Sequence, residues 1–123
     1  MTYHVDRFYA AVSVLAGDGH IKQRLMRAYQ DNLDEISEEE LPRQIKKPFS
    51  KLRRRMHRVA PLNGEGPICA SVRKMSVHEA SDCAVSVVSL YSEIIRQAGE
   101  LQDPLPVQGG QDGVPPFLVK SAS

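Results

Sequence analysis

Cysteine is scarce in this chain: two residues, Cys69 and Cys83, among 123. That excludes the disulfide framework of a small secreted scaffold. The four histidines, His4, His20, His57 and His78, form no H-x-x-x-H pair and share no zinc spacing with either cysteine. No metal site and no cofactor is therefore expected. No apolar run approaches the roughly 20 residues that cross a bilayer. Asp6 and Arg7 interrupt the apolar N-terminal stretch, and no basic region precedes it. The expectation is a chain without a membrane partner and with a cytoplasmic location. Glycine-rich phosphate cradles are missing too, because Gly64-Glu65-Gly66 lacks both the G-x-G-x-x-G and the G-K-[ST] pattern.

A charge excess of one sign is also lacking. Sixteen Lys and Arg stand against 15 Asp and Glu, for a net charge of +1. An argument for an acidic partner must rest on local charge. The hydrophobic fraction of 41%, the charged fraction of 25% and a mean hydropathy of -0.34 are ordinary globular values. A chain of this length suits one domain and buries roughly two-thirds of its unfolded surface, so it folds without a staple.

Helical periodicity dominates what is present. A first helix is predicted over about 6–16, capped by Asp6, with Val5, Phe8, Val12 and Leu15 on one face and Gly17 as the left-handed terminator. A second is predicted over about 20–36, with Ile21, Leu25, Tyr29, Leu33 and Ile36 as its stripe. Its bases come early and its acids late, against the helix dipole. Asn32 lies within the apolar face and needs hydrogen-bond partners if buried. Ser37-Glu38-Glu39-Glu40 reads as a capping box for a third helix. There Leu41, Ile45, Phe49, Leu52, Met56 and Val59 recur at steps of 4, 4, 3, 4 and 3. Pro48 interrupts this helix, and the unbroken apolar period favours a kink over a break.

After the loop 60–67, the segment Ile68–Met75 fits no element well. It reads as extended or irregular, with a minor strand pairing to 114–119 as one arrangement. Ser76-Val77-His78-Glu79 is a second capping box. It opens a last helix to about Ala98, closed by Gly99. Ala80, Cys83, Ala84, Val87, Tyr91, Ile94 and Ile95, widened by Val88 and Leu90, make it the expected centre of the core.

The outstanding constellation is Arg43, Lys46, Lys47, Lys51, Arg53, Arg54, Arg55 and Arg58, with no acid between Glu40 and Glu65. Most of these cations fall opposite the apolar stripe. They suit either phosphate or an acidic protein surface. The bland alternative is a solvated face neutralised by Asp31, Asp34, Glu35, Glu38, Glu39 and Glu40 just before it. Aromatic rings that could stack on bases are absent from this face, which argues against single-strand binding. A second candidate is the polar loop with Asn63, Glu65, Arg73 and Lys74, where a small molecule could sit. Cys69 lies near Arg73 and Lys74, whose charge would lower a thiol pKa, but a buried inert cysteine is the stronger reading. His78 and Asp82 form an i, i+4 surface pair.

The resulting expectation is an all-α domain of about four helices over residues 1–99, followed by an irregular Pro- and Gly-rich tail over 100–123. The apolar end of that tail, Phe117, Leu118 and Val119, is expected to dock. No catalytic constellation stands out, so the favoured reading is a non-enzymatic interaction or regulatory protein that binds another protein or itself. Nucleic-acid binding through the basic helix is the alternative, and a small-molecule or enzymatic role at 63–74 the second alternative.

Overall fold

The computed structural model describes residues 2–102, and in that span every regular element is helical. Five α-helices run in order: α1 (Thr2–Leu15), α2 (Ile21–Asn32), α3 (Arg43–Met56), α4 (Pro67–Lys74) and α5 (Val77–Gln102). A single 3-10 turn, Glu38–Glu40, precedes α3. The tail from 103 onward, with the expected docking residues 117–119 and any strand over 114–119, lies outside the described residues.

The core is the set of apolar stripes set by helical spacing. Phe8, Ala11 and Leu15 from α1 meet Leu25, Ala28 and Tyr29 from α2. Ile45, Phe49, Leu52 and Met56 from α3, and Ala80, Cys83, Val87, Leu90 and Ile94 from α5, complete it. Phe8 and Phe49 meet edge to face, with ring centroids 6.0 Å apart, the geometry the ring quadrupole favours. α5 packs on α1, α2 and α3 together. The stripe is narrower than its sequence suggests, since Val88 and Ile95 are 46% and 42% exposed.

The boundaries depart from the sequence reading in several places, among them the end of α3 at Met56, short of Val59. Asp6 is not a cap, because α1 already starts at Thr2. The left-handed glycine after α1 is Gly19 (φ 108°), not Gly17. α2 stops at Asn32 rather than near Ile36, although Leu33 and Ile36 are still buried. The Ser37 box does not open α3. The Ser37 hydroxyl donates to Glu39 Oε1 at 3.3 Å, and Leu41 is extended (φ -93°, ψ 149°). The cause is Pro42, whose ring disfavours the helical conformation of the residue before it, so α3 starts one residue after it. Lastly, α5 passes through Gly99 to Gln102.

The largest correction is α4, a helix where an extended or irregular segment was expected. Pro67 occupies its first turn, the one helical position where a missing N–H costs nothing. Ile68 and Val72 share its buried face, and Arg73 and Lys74 end it with the charge sign the dipole prefers. The second capping box is half realised. Ser76 Oγ accepts the Glu79 N–H at 3.0 Å, but the Glu79 carboxylate turns away to Arg55 and Arg58.

Helix ends leave backbone carbonyls without intrahelical donors. Here long cations from neighbouring helices supply them. Arg24 donates to Leu15 O at 2.5 Å and to Gly19 O at 2.8 Å, closing α1. Arg7 donates to Asp31 O and Asn32 O at 3.0 and 3.1 Å, closing α2. Lys22 reaches Arg73 O at 3.1 Å and closes α4. Two early bases of α2, Lys22 and Arg24, thus serve other helices. At the N-terminus of α2, His20 Nδ1 accepts the Lys22 N–H at 3.1 Å. Asn32 bonds back to Ala28 O at 3.2 Å, which meets its need for a partner.

α3 runs through Pro48 without a break. The ring still removes the donor for the Gln44 carbonyl and crowds it. Pro48→Ala restores that bond, and stability to urea should rise by about 1–2 kcal/mol after the smaller loss from a freer unfolded chain. A fall in stability would mean that proline packing on α5 outweighs the helix bond.

Candidate interaction surface

The eight cations of the basic stretch divide by their position on α3. Arg53 and Arg55 flank the apolar stripe and are only partly exposed. Arg53 Nη2 donates to Ile36 O at 2.6 Å and to Asp34 O at 3.1 Å, and its Nε lies 3.5 Å from Glu38 Oε2. Its guanidinium carbon sits 5.1 Å from the Phe49 ring centroid. The buried Tyr29 hydroxyl lies in the same group, and burial pushes its pKa up. On the other flank, Glu79 of α5 holds Arg55 at 3.5 Å and Arg58 at 2.9 Å. The Arg58 hydrogen bond, ahead of Arg55, keeps the Glu79 carboxyl below its ordinary range.

Arg43, Lys46, Lys47, Lys51 and Arg54 occupy the outward arc and are exposed. Among the described residues none of these five makes an ion pair, and Arg54 bonds only the Ser50 hydroxyl, at 3.5 Å. From Arg43 to Arg54 the row runs about 16 Å along the axis, at 1.5 Å per residue. The acidic segment before α3 does not cover it. Asp34 pairs with His57 at 2.9 Å, Glu40 approaches His4 at 3.4 Å, and among the described residues Glu38 is the one carboxylate of that segment that pairs with an arginine, Arg53. The five outward cations line a shallow concavity together with Glu38, Pro48 and Ser50.

A second concavity, of about 530 Å³, opens between α3 and α5. Pro48, Leu52, Val85 and Leu90 supply its apolar lining, and Gln44, Lys51, Arg55, Ser86, Ser89 and Glu93 its polar lining. Pro48 and Lys51 belong to both hollows, so the basic row and the apolar groove share a border. The sequence carried a signal for this groove, a proline on the surface of a helix, but not the identity of its other wall.

The remaining candidates are accounted for locally. Glu65 and Arg73 pair with each other at 2.5 Å, and Arg73 lowers the Glu65 pKa. Asn63 (φ 50°) and Gly64 (φ 81°) form the turn before them, and Lys74 is exposed at the end of α4. Neither hollow described above touches residues 63–74. Cys69 is half-buried beside Glu65, and Cys83 lies in the core, where burial raises its thiol pKa. His78 and Asp82 form the exposed pair their spacing implies, at 3.5 Å. Among the described residues no group of three His, Cys, Asp or Glu side chains could hold a metal ion, and no helix is long and apolar enough to cross a membrane.

Two expected outcomes test this division. Arg53→Ala should cost about 2 kcal/mol in urea unfolding, since it strips partly buried carbonyls of a charged donor, whereas Arg54→Ala should stay within about 0.5 kcal/mol. Equal effects would refute the division. For Glu79, the folded pKa lies below the unfolded one, so its stabilisation is present above the ordinary carboxyl range and disappears as pH falls through the lowered value. Glu79→Gln should therefore be less stable than wild type at pH 7 and match it in strong acid. A pH-independent gap would assign the loss to packing instead.

No family model matches the chain, and no curated protein and no solved structure is significantly similar to it.

Proposed function

We propose that this protein is a non-enzymatic interaction module that holds an acidic, amphipathic segment of a partner protein along α3. The observation that carries this reading is the shared border of the two hollows at Pro48 and Lys51. Charge alone would suit any polyanion. An apolar groove directly beside the cations suits a ligand with carboxylates on one side and apolar anchors on the other. Phosphate backbones offer no such anchors. The reading includes a cytoplasmic setting, which two free thiols suit.

Nucleic acid is the second reading, supported by five exposed cations that make no ion pair among the described residues. It expects binding that depends on charge and salt but not on the groove.

The two readings separate with two probes and two variants. The probes are a labelled helical peptide with leucine on one face and glutamate on the other, and a random-sequence DNA duplex of similar length. Lys47→Glu combined with Arg54→Glu should weaken peptide binding roughly tenfold or more in fluorescence anisotropy. Ser89→Trp, which fills the groove from its exposed edge without changing charge, should weaken the peptide comparably. Peptide binding that ignores Ser89→Trp would defeat the reading. Duplex binding lost on charge reversal, with no peptide binding at all, would establish the second reading in its place.

A further inference from the structure

The chain carries a segment of the kind its own groove is read to hold. Between Arg96 and Lys120 the sequence has Glu100, Asp103 and Asp112 and no Lys, Arg or His. This acidic stretch runs into Val114-Pro115-Pro116-Phe117-Leu118-Val119, apolar throughout. The α3–α5 groove offers the matching surface, an apolar lining with the cations of α3 on its border. Val85 in that lining is 63% exposed, more than any other large apolar side chain among the described residues.

Reach and charge single out this segment as the occupant. α5 ends at Gln102, about 20 Å along its axis from Ser89 in the groove, at 1.5 Å per residue. The 14 residues between Gln102 and Phe117 extend to about 45 Å at most, enough to turn back and reach Leu90 and Val85. A tether of that length keeps the segment near the groove at an effective concentration of about a millimolar, so a small contact suffices. Asp112 precedes the apolar run and Lys120 follows it. The groove's lining holds the complementary charges, Lys51 from α3 and Glu93 from α5. We infer that residues 112–120 of this chain occupy the α3–α5 groove, with Phe117, Leu118 and Val119 as anchors, so that an acidic partner segment must displace them. The displacement rests on the reading above, whereas the contact of this segment with the groove does not.

Two cysteine pairs in the full chain test the contact. In a Cys69→Ser background, Val119→Cys is combined either with Ser89→Cys, in the groove lining, or with Val88→Cys, one residue away on a different exposed face of α5. The two positions lie almost equally far along the tether. Mild air oxidation should close the intramolecular disulfide about fivefold faster or more from Ser89→Cys, read by mass spectrometry. Equal rates, faster closure from Val88→Cys, or chiefly intermolecular dimers would overturn the inference. For the displacement, Phe117→Ser with Leu118→Ser leaves the charge unchanged and should tighten binding of the leucine–glutamate peptide about fivefold, because the groove is then open. Unaltered peptide affinity would overturn the displacement. If neither wild type nor this variant binds the peptide while Ser89→Cys still closes faster, the partner reading fails and the contact is upheld.

Discussion

The arrangement depends on how the turn between α2 and α3 is held. Its partly buried carbonyls at Asp34 and Ile36 both accept from one guanidinium, that of Arg53. That group is also anchored over Phe49 and beside Glu38. A buried carbonyl without a donor carries a penalty that marginally stable domains rarely tolerate. With the donor supplied, the chain can leave the helix at Leu33 and still drive Leu33, Ile36 and Leu41 into the core. Only then does α3 start where its apolar stripe meets α5.

The same logic extends across the molecule. Arg24, Arg7 and Lys22 close the ends of α1, α2 and α4 from neighbouring helices. Because each bond runs from one helix to the end of another, it fixes relative placement as well as satisfying a dipole. Cations that look like surface charge in a linear reading are part of the tertiary framework. What is left over on the outer arc of α3 is therefore informative. Five cations there make no ion pair among the described residues, and one of them, Lys51, also lines the neighbouring apolar hollow. That pairing of charge with an apolar wall underlies the interaction-module reading.

Much of the architecture was legible in advance. The stripes of α1, α2, α3 and α5 follow helical periodicity, and they are the buried faces with few exceptions. Those exceptions have physical causes. Ser37 to Glu40 has the letters of a capping box, yet Pro42 forces Leu41 into extended backbone and moves the helix start. Ile68 to Met75 looked irregular because its β-branched residues compete with a short helical period, while Pro67 at its first turn was the decisive and overlooked signal. Val88 and Ile95 looked like core because period alone cannot say how wide a face the neighbours cover.

What the linear chain determined by itself was the helical class, the inward stripes and the concentration of positive charge on α3, since each follows from local spacing and side-chain chemistry. Which of those charges are engaged was decided only by the tertiary structure. Arg53 and Arg54 are adjacent, yet one clamps a turn and the other faces outward, because the helical step of about 100 degrees carries them to different neighbours. The acids that hold Arg55 and Arg58 are not the nearby run before α3 but Glu79, more than twenty residues away. Spacing along the chain sets which face a residue occupies, and packing between helices sets what that face meets.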